Sequence, residues 1–170
     1  MKKIIAIMMA LCLLTGFAMA EEINWSDIED TVADAGIEGE FFSISDIGVK
    51  MFIPDVFQEA ELSEDDVAEG YICYLTTEDE SGTVAVTYAD VNGMSLEDYA
   101  GYLPEVGATD VELGTLNGIP VVSYEVPEND TVNIAMMTDA GNAIEFVFYP
   151  SSDEGFSSVA GIMGASIQPE

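Results

Sequence analysis

From about residue 40 onward, apolar residues recur at every second position in short runs divided by polar turns, the pattern of half-buried strands. Phe42 and Ile44 alternate with polar neighbours, as do Val49, Met51 and Ile53, where Pro54 stops the run because it cannot donate to a ladder. Tyr71 to Thr77 and Val84 to Val91 form two further runs, with Val84, Val86 and Tyr88 on one face and a Glu78–Gly82 turn between them, which predicts a hairpin. Asn117-Gly118 is the sharpest local signal. Flanked by Val111/Leu113 and by Val122/Tyr124/Val126, it predicts a two-residue type I′ hairpin. Turns at Pro127–Asp130 and Asp139–Asn142 lead into Val132-Ile134-Met136 and Ile144-Phe146-Phe148, so four consecutive strands are expected to form an antiparallel meander.

The period becomes helical in a few places. Ser95, with Asp98 three residues on, opens a helix whose stripe is Leu96, Tyr99, Ala100 and Leu103, closed by Pro104 and Gly107. After Pro150, Ser151 or Ser152 is expected to cap a last helix with Phe156, Val159, Ala160 and Met163 as its buried stripe. Ser26 is read as the cap of an acidic N-terminal helix, with Ile28 and Val32 on one face and Gly36 as its stop. Glu59 to Glu69 reads as an acidic connection with a helical turn at Ser63. Runs of strands with separated amphipathic helices give an α+β class: a central antiparallel sheet of about six to eight strands with helices on its faces. Phe146, Phe148, Tyr124 and Tyr88 are expected to line the face those helices cover.

Residues 1–20 read as a cleaved secretory signal. Lys2 and Lys3 form its charged start, Ile4 to Leu14 its apolar stretch, and Ala18-Met19-Ala20 its cleavage site. The apolar run is too short to span about 30 Å of hydrocarbon, and Leu11 before Cys12 argues against lipoprotein processing. The expected organisation is an acidic lead over 21–36 and a single α+β domain over 37–170. A secreted or cell-envelope location follows, with no membrane helix in the mature chain. Cys12 leaves with the signal, so Cys73 has no disulfide partner and is read as a small apolar filler in Tyr71-Ile72-Cys73-Tyr74-Leu75.

Several short strings resemble the PsbP-like superfamily, which includes bacterial DcrB-type proteins. They are Val49-Lys50-Met51-Phe52-Ile53-Pro54-Asp55, Ser95-Leu96-Glu97-Asp98-Tyr99-Ala100, the Asn117–Tyr124 hairpin, and the closing Phe156–Ile167 helix. The chain departs from that pattern in having neither a Trp near Phe57 nor a lipobox. The resemblance implies a central antiparallel sheet with helices on its faces, in proteins that mostly act by binding partners. It implies no catalytic residues.

Charge narrows the chemistry further. The chain has 33 acidic residues, 3 basic ones and no His, a formal net charge of −30. Once the signal is removed, Lys50 is the only cation, and Arg is absent throughout. A Ser or Cys nucleophile lacks its usual base, phosphate sites lack their cations, and zinc sites lack their ligands. Nucleic acid and anionic membranes are expected to be repelled. The leading expectation is a non-enzymatic binding module, with no cofactor, for a protein or small-molecule ligand, which charge favours being cationic. A Ca²⁺-dependent domain is the alternative, with Glu64, Asp65, Asp66 and Glu69, then Glu78, Asp79 and Glu80, and also Glu128-Asn129-Asp130 as candidate oxygen donors. Divalent cations are otherwise expected to screen the surface non-specifically. A carboxylate-based hydrolase is the third reading, and such a cleft commonly adds several Trp where this chain has one. Mutual repulsion is expected to raise surface carboxylate pKa values.

Overall fold

A computed structural model describes residues 22–170. The signal segment, Cys12 and the cleavage site lie outside them. In chain order the elements are β1 (Glu22–Ile23), α1 (Glu29–Ala35), β2 (Gly39–Ile44), β3 (Val49–Pro54), β4 (Phe57–Glu59) and α2 (Glu64–Ala68). There follow β5 (Tyr71–Thr77), β6 (Thr83–Ala89), α3 (Leu96–Tyr102) with a 3₁₀ turn over Leu103–Val106, β7 (Thr109–Leu116) and β8 (Ile119–Val126). The chain closes with β9 (Thr131–Met137), β10 (Ala143–Tyr149), α4 (Glu154–Ala165) and β11 (Gln168–Pro169).

The strands form two sheets. The larger has eight strands in the order β1-β7-β8-β9-β10-β6-β5-β4, antiparallel except that β1 pairs parallel to β7. The meander β7-β8-β9-β10 is present as expected from its turns, and Asn117 and Gly118 both have positive φ, 48° and 84°, as a type I′ turn requires. β2 and β3 do not join it. With β11 they make a separate three-stranded sheet, which the alternation of Phe42 to Ile53 could not reveal because a strand pattern does not name its partner. At its corner Gly39 lies so close to Pro54 that an added Cβ would sit 2.8 Å from the Pro54 Cα.

The first core lies between one face of the large sheet and the layer made by the small sheet with α4. Val84, Val86, Ile144, Phe146 and Phe148 meet Met51, Ile53, Phe156, Ala160 and Met163 there. β3, the middle strand of the small sheet, is apolar on the side of Val49, Met51 and Ile53 and carries Lys50 beside Phe52 on the other. Phe52 packs with Val32 of α1 and Ile162 of α4. On the opposite face of the large sheet Tyr99 and Ala100 of α3 and Leu103 of the following 3₁₀ turn pack on Val122, Tyr124, Ala135 and Ala143, a second core. Tyr88 lies beyond Val86 at the end of β6 and is 45% exposed, so it does not join the buried aromatics.

Two caps differ from expectation. Ser63 and Ser95 accept from the Asp66 and Asp98 amides as predicted, and Ser63 with Asp66 completes a capping box. The last helix, however, is capped by Asp153, whose Oδ1 accepts the Phe156 N–H at 2.7 Å, because Ser151 and Ser152 are drawn to Asp130 across the preceding turn. Near the N-terminus, Ser26 falls inside a 3₁₀ turn (Trp25–Asp27), and α1 begins only after Ile28.

Two polar side chains join the layers. Buried Ser166 accepts the Phe52 N–H at 2.8 Å and donates to the Met163 carbonyl at 2.6 Å, fastening the end of α4 to β3. Asn117 donates to the Ala165 and Ile167 carbonyls at 2.9 and 2.8 Å. No helix among the described residues is long and apolar enough to cross a membrane.

Candidate functional site

Strand register divides the second face of the large sheet into two halves. α3 packs on β7 and β8 and covers one half. The other half spans β5, β6 and β10, where the paired rows are Tyr71 with Thr87 and Glu145, Tyr74 with Ala85 and Val147, and Thr76 with Thr83 and Tyr149. Tyr149 is exposed, and Tyr71, Tyr74, Thr76, Thr83, Thr87 and Val147 are half-buried. Of the residues sharing this surface on the three strands, Glu145 alone is charged.

A backbone irregularity creates the aromatic part. In a regular strand, residues three apart point to opposite faces. Between Tyr71 and Cys73 the register shifts: Tyr71 pairs with Thr87 while Cys73 pairs with Val86. The bulge absorbs one residue, Tyr71 and Tyr74 come to the same side, and their rings lie edge to face with centroids 6.5 Å apart. The bulge also lets Cys73 and Leu75 keep pointing into the first core. Cys73 is a buried free thiol, and burial, with a smaller contribution from Glu59, pushes its pKa up to about 11, the opposite of what a nucleophile requires.

Glu145 marks the border between the covered and open halves. Its Oε1 accepts the Tyr124 hydroxyl at 2.6 Å and also the Tyr99 hydroxyl, joining β10 to β8 and to α3. Among the described residues none donates to Oε2. Burial, then the adjacent Glu145 carboxylate, raises both phenol pKa values well above the ordinary tyrosine range. The alternating run Ile144-Glu145-Phe146 contained a signal for this group, since a lone acid facing the sheet side opposite Ile144 and Phe146 stands out. That local pattern does not show that two phenols from other elements converge on it.

The candidate Ca²⁺ donors are not brought together. Among the described residues no three His, Cys, Asp or Glu side chains are gathered closely enough to hold a metal ion. Asp66 instead accepts from Ser63, and Asp79 accepts the Ser81 and Thr77 hydroxyls at 2.6 and 2.8 Å. Asp130 accepts from Ser151 and Ser152. These donors pull all three aspartate pKa values down, Asp79 to about 2, so local hydrogen bonds outweigh the expected repulsive rise at these positions. Glu64, Asp65 and Glu69 flank or lie in α2, just before the Tyr71 end of β5, while Glu78 and Glu80 lie in the exposed β5–β6 turn at the other end of that strand.

No protein-family model and no curated protein matches the chain. Among solved structures, the solution structure of cyanobacterial PsbP (CyanoP) from Synechocystis sp. PCC 6803 superposes with a TM-score of 0.56 at 12% identity, covering 77% of this chain and 92% of that one. The sheet and helix order described above is therefore a PsbP-like α+β fold.

Proposed function

We propose that the chain is an exported, non-enzymatic binding module whose working surface is the open half-face of β5, β6 and β10. The observation that carries this reading is the bulge that puts Tyr71 and Tyr74 on one side of a surface with a single charge, in a chain of net charge −30. Rigid, amphipathic rings on strands give contact area with little side-chain entropy to lose, a composition common in recognition surfaces. The reading of residues 1–20 as a cleaved signal supports export. The absence of His and Arg from the chain removes the usual groups for turnover.

The test is capture of partners from the extracellular fraction by the wild type, by Tyr74→Ser and Tyr149→Ser, and by Leu113→Ser on β7. Binding through this face requires that both tyrosine variants lose a partner that the wild type and the Leu113 variant retain. An identical set of partners from all four proteins overturns the reading.

A further inference from the structure

We infer that the open half-face takes a basic polypeptide segment, with arginine or lysine side chains laid over the tyrosine rings; this rests on the binding role proposed above. Strand direction places the Tyr149 end of the face beside two turns, because Thr83 pairs with Tyr149 and Thr131 pairs with Val126. The turns are therefore at the same end of the sheet. One carries Glu78, Asp79 and Glu80, the other Glu128 and Asp130. Asp79 is engaged within its own turn and Asp130 by Ser151 and Ser152 after β10, whereas Glu78, Glu80 and Glu128 are exposed.

The surface is thus an aromatic and hydroxyl platform with an acidic rim at one end and Glu145 at the other. The described residues contain one cation, Lys50, and it sits on the small sheet with its ammonium 5.4 Å from the centre of the Phe41 ring. No cation neutralises the platform from within. Low-charge walls bordered by carboxylates focus a negative potential on the rings, and tyrosine faces attract guanidinium and ammonium groups. Three strands about 4.8 Å apart make the platform wide enough for a polypeptide segment. The ungathered carboxylates do not suit a metal ion.

The probe is hexa-arginine at 150 mM salt, with hexa-glutamate as control, read by amide chemical shifts and by calorimetric titration. The expected result is shifts concentrated on Tyr71, Tyr74, Val147 and Tyr149. Tyr149→Ser and Tyr74→Ser should weaken hexa-arginine binding about tenfold, about 1.4 kcal/mol each, while Glu29→Gln on α1 stays within about twofold. Shifts spread evenly over the acidic surface, or tyrosine variants that bind as the wild type does, overturn the inference. If the same variants still lose their extracellular partner, the basic-segment inference falls while the binding role stands. If they lose neither, both fall.

Discussion

The side-chain carbonyl of Asn117 accepts the backbone N–H of Trp25 at 2.6 Å, while its amide nitrogen holds two carbonyls at the end of α4. One turn residue thereby ties the N-terminal segment, the β7–β8 hairpin and the C-terminal segment together. Its left-handed backbone, φ 48°, is a conformation asparagine tolerates better than most residues. Asn117→Gly keeps the turn but loses three hydrogen bonds, and should cost about 2 kcal/mol in urea unfolding. Asn117→Ala adds backbone strain and should cost about 3 kcal/mol. Variants within about 0.5 kcal/mol of the wild type would show that the ties carry no stability.

Glu145 gives a second prediction. Glu145→Ala leaves the Tyr99 and Tyr124 hydroxyls without their acceptor, and should destabilise by about 2–3 kcal/mol. Glu145→Gln retains an acceptor oxygen and should cost about 1 kcal/mol. Equal losses in the two variants would mean that the phenols do not depend on this oxygen.

Alkaline stability follows from Cys73, Tyr99 and Tyr124, whose folded pKa values are all raised. For groups shifted upward, stability is full below the unfolded pKa and is lost as pH rises through the folded value. For Cys73 the window runs from about 9 to about 11. Melting temperature should fall across it, less steeply in Cys73→Ala. Ultraviolet titration should show Tyr99 and Tyr124 ionising only on unfolding, with one such phenol lost from that phase in Tyr124→Phe.

Acid works in the opposite sense at Asp66, Asp79 and Asp130. Their pKa values are lowered, so their contribution is present above the ordinary aspartate value near 3.8 and is lost as pH falls, for Asp79 toward about 2. Asp79→Asn should flatten the loss of melting temperature between pH 4 and pH 2. An unchanged slope would place the acid sensitivity elsewhere.

What could be read in the sequence was local. Ser63, Ser95 and Asn117-Gly118 are each decided by neighbours within a few residues, and their caps and turn form as expected. Asp153 displaced Ser151 and Ser152 as cap through Asp130, which is distant in sequence, so no local rule reports it. Pairing partners are likewise non-local, and β2 and β3 read as strands without revealing their separate sheet. The open face was hidden for the same reason. Tyr71 and Tyr74 have the wrong spacing for one side of a strand, and only the register against β6 shows the bulge that reconciles them.

The outer edge of β7 is covered by β1 only at Thr115 and Leu116, which leaves its earlier residues unpaired on that side. A bare strand edge invites a second molecule to add to it and a stack to grow. Here the ladder is broken between Thr109 and Glu112, with Asp110 turned to φ 50° and Glu112 beside it. Kink and charge together make this edge a poor template for fibrils, and the two carboxylates supply the electrostatic half of that safeguard. Replacing both, as in Asp110→Ala with Glu112→Ala, should therefore make solutions of the folded chain scatter more light at neutral pH, by association along β7.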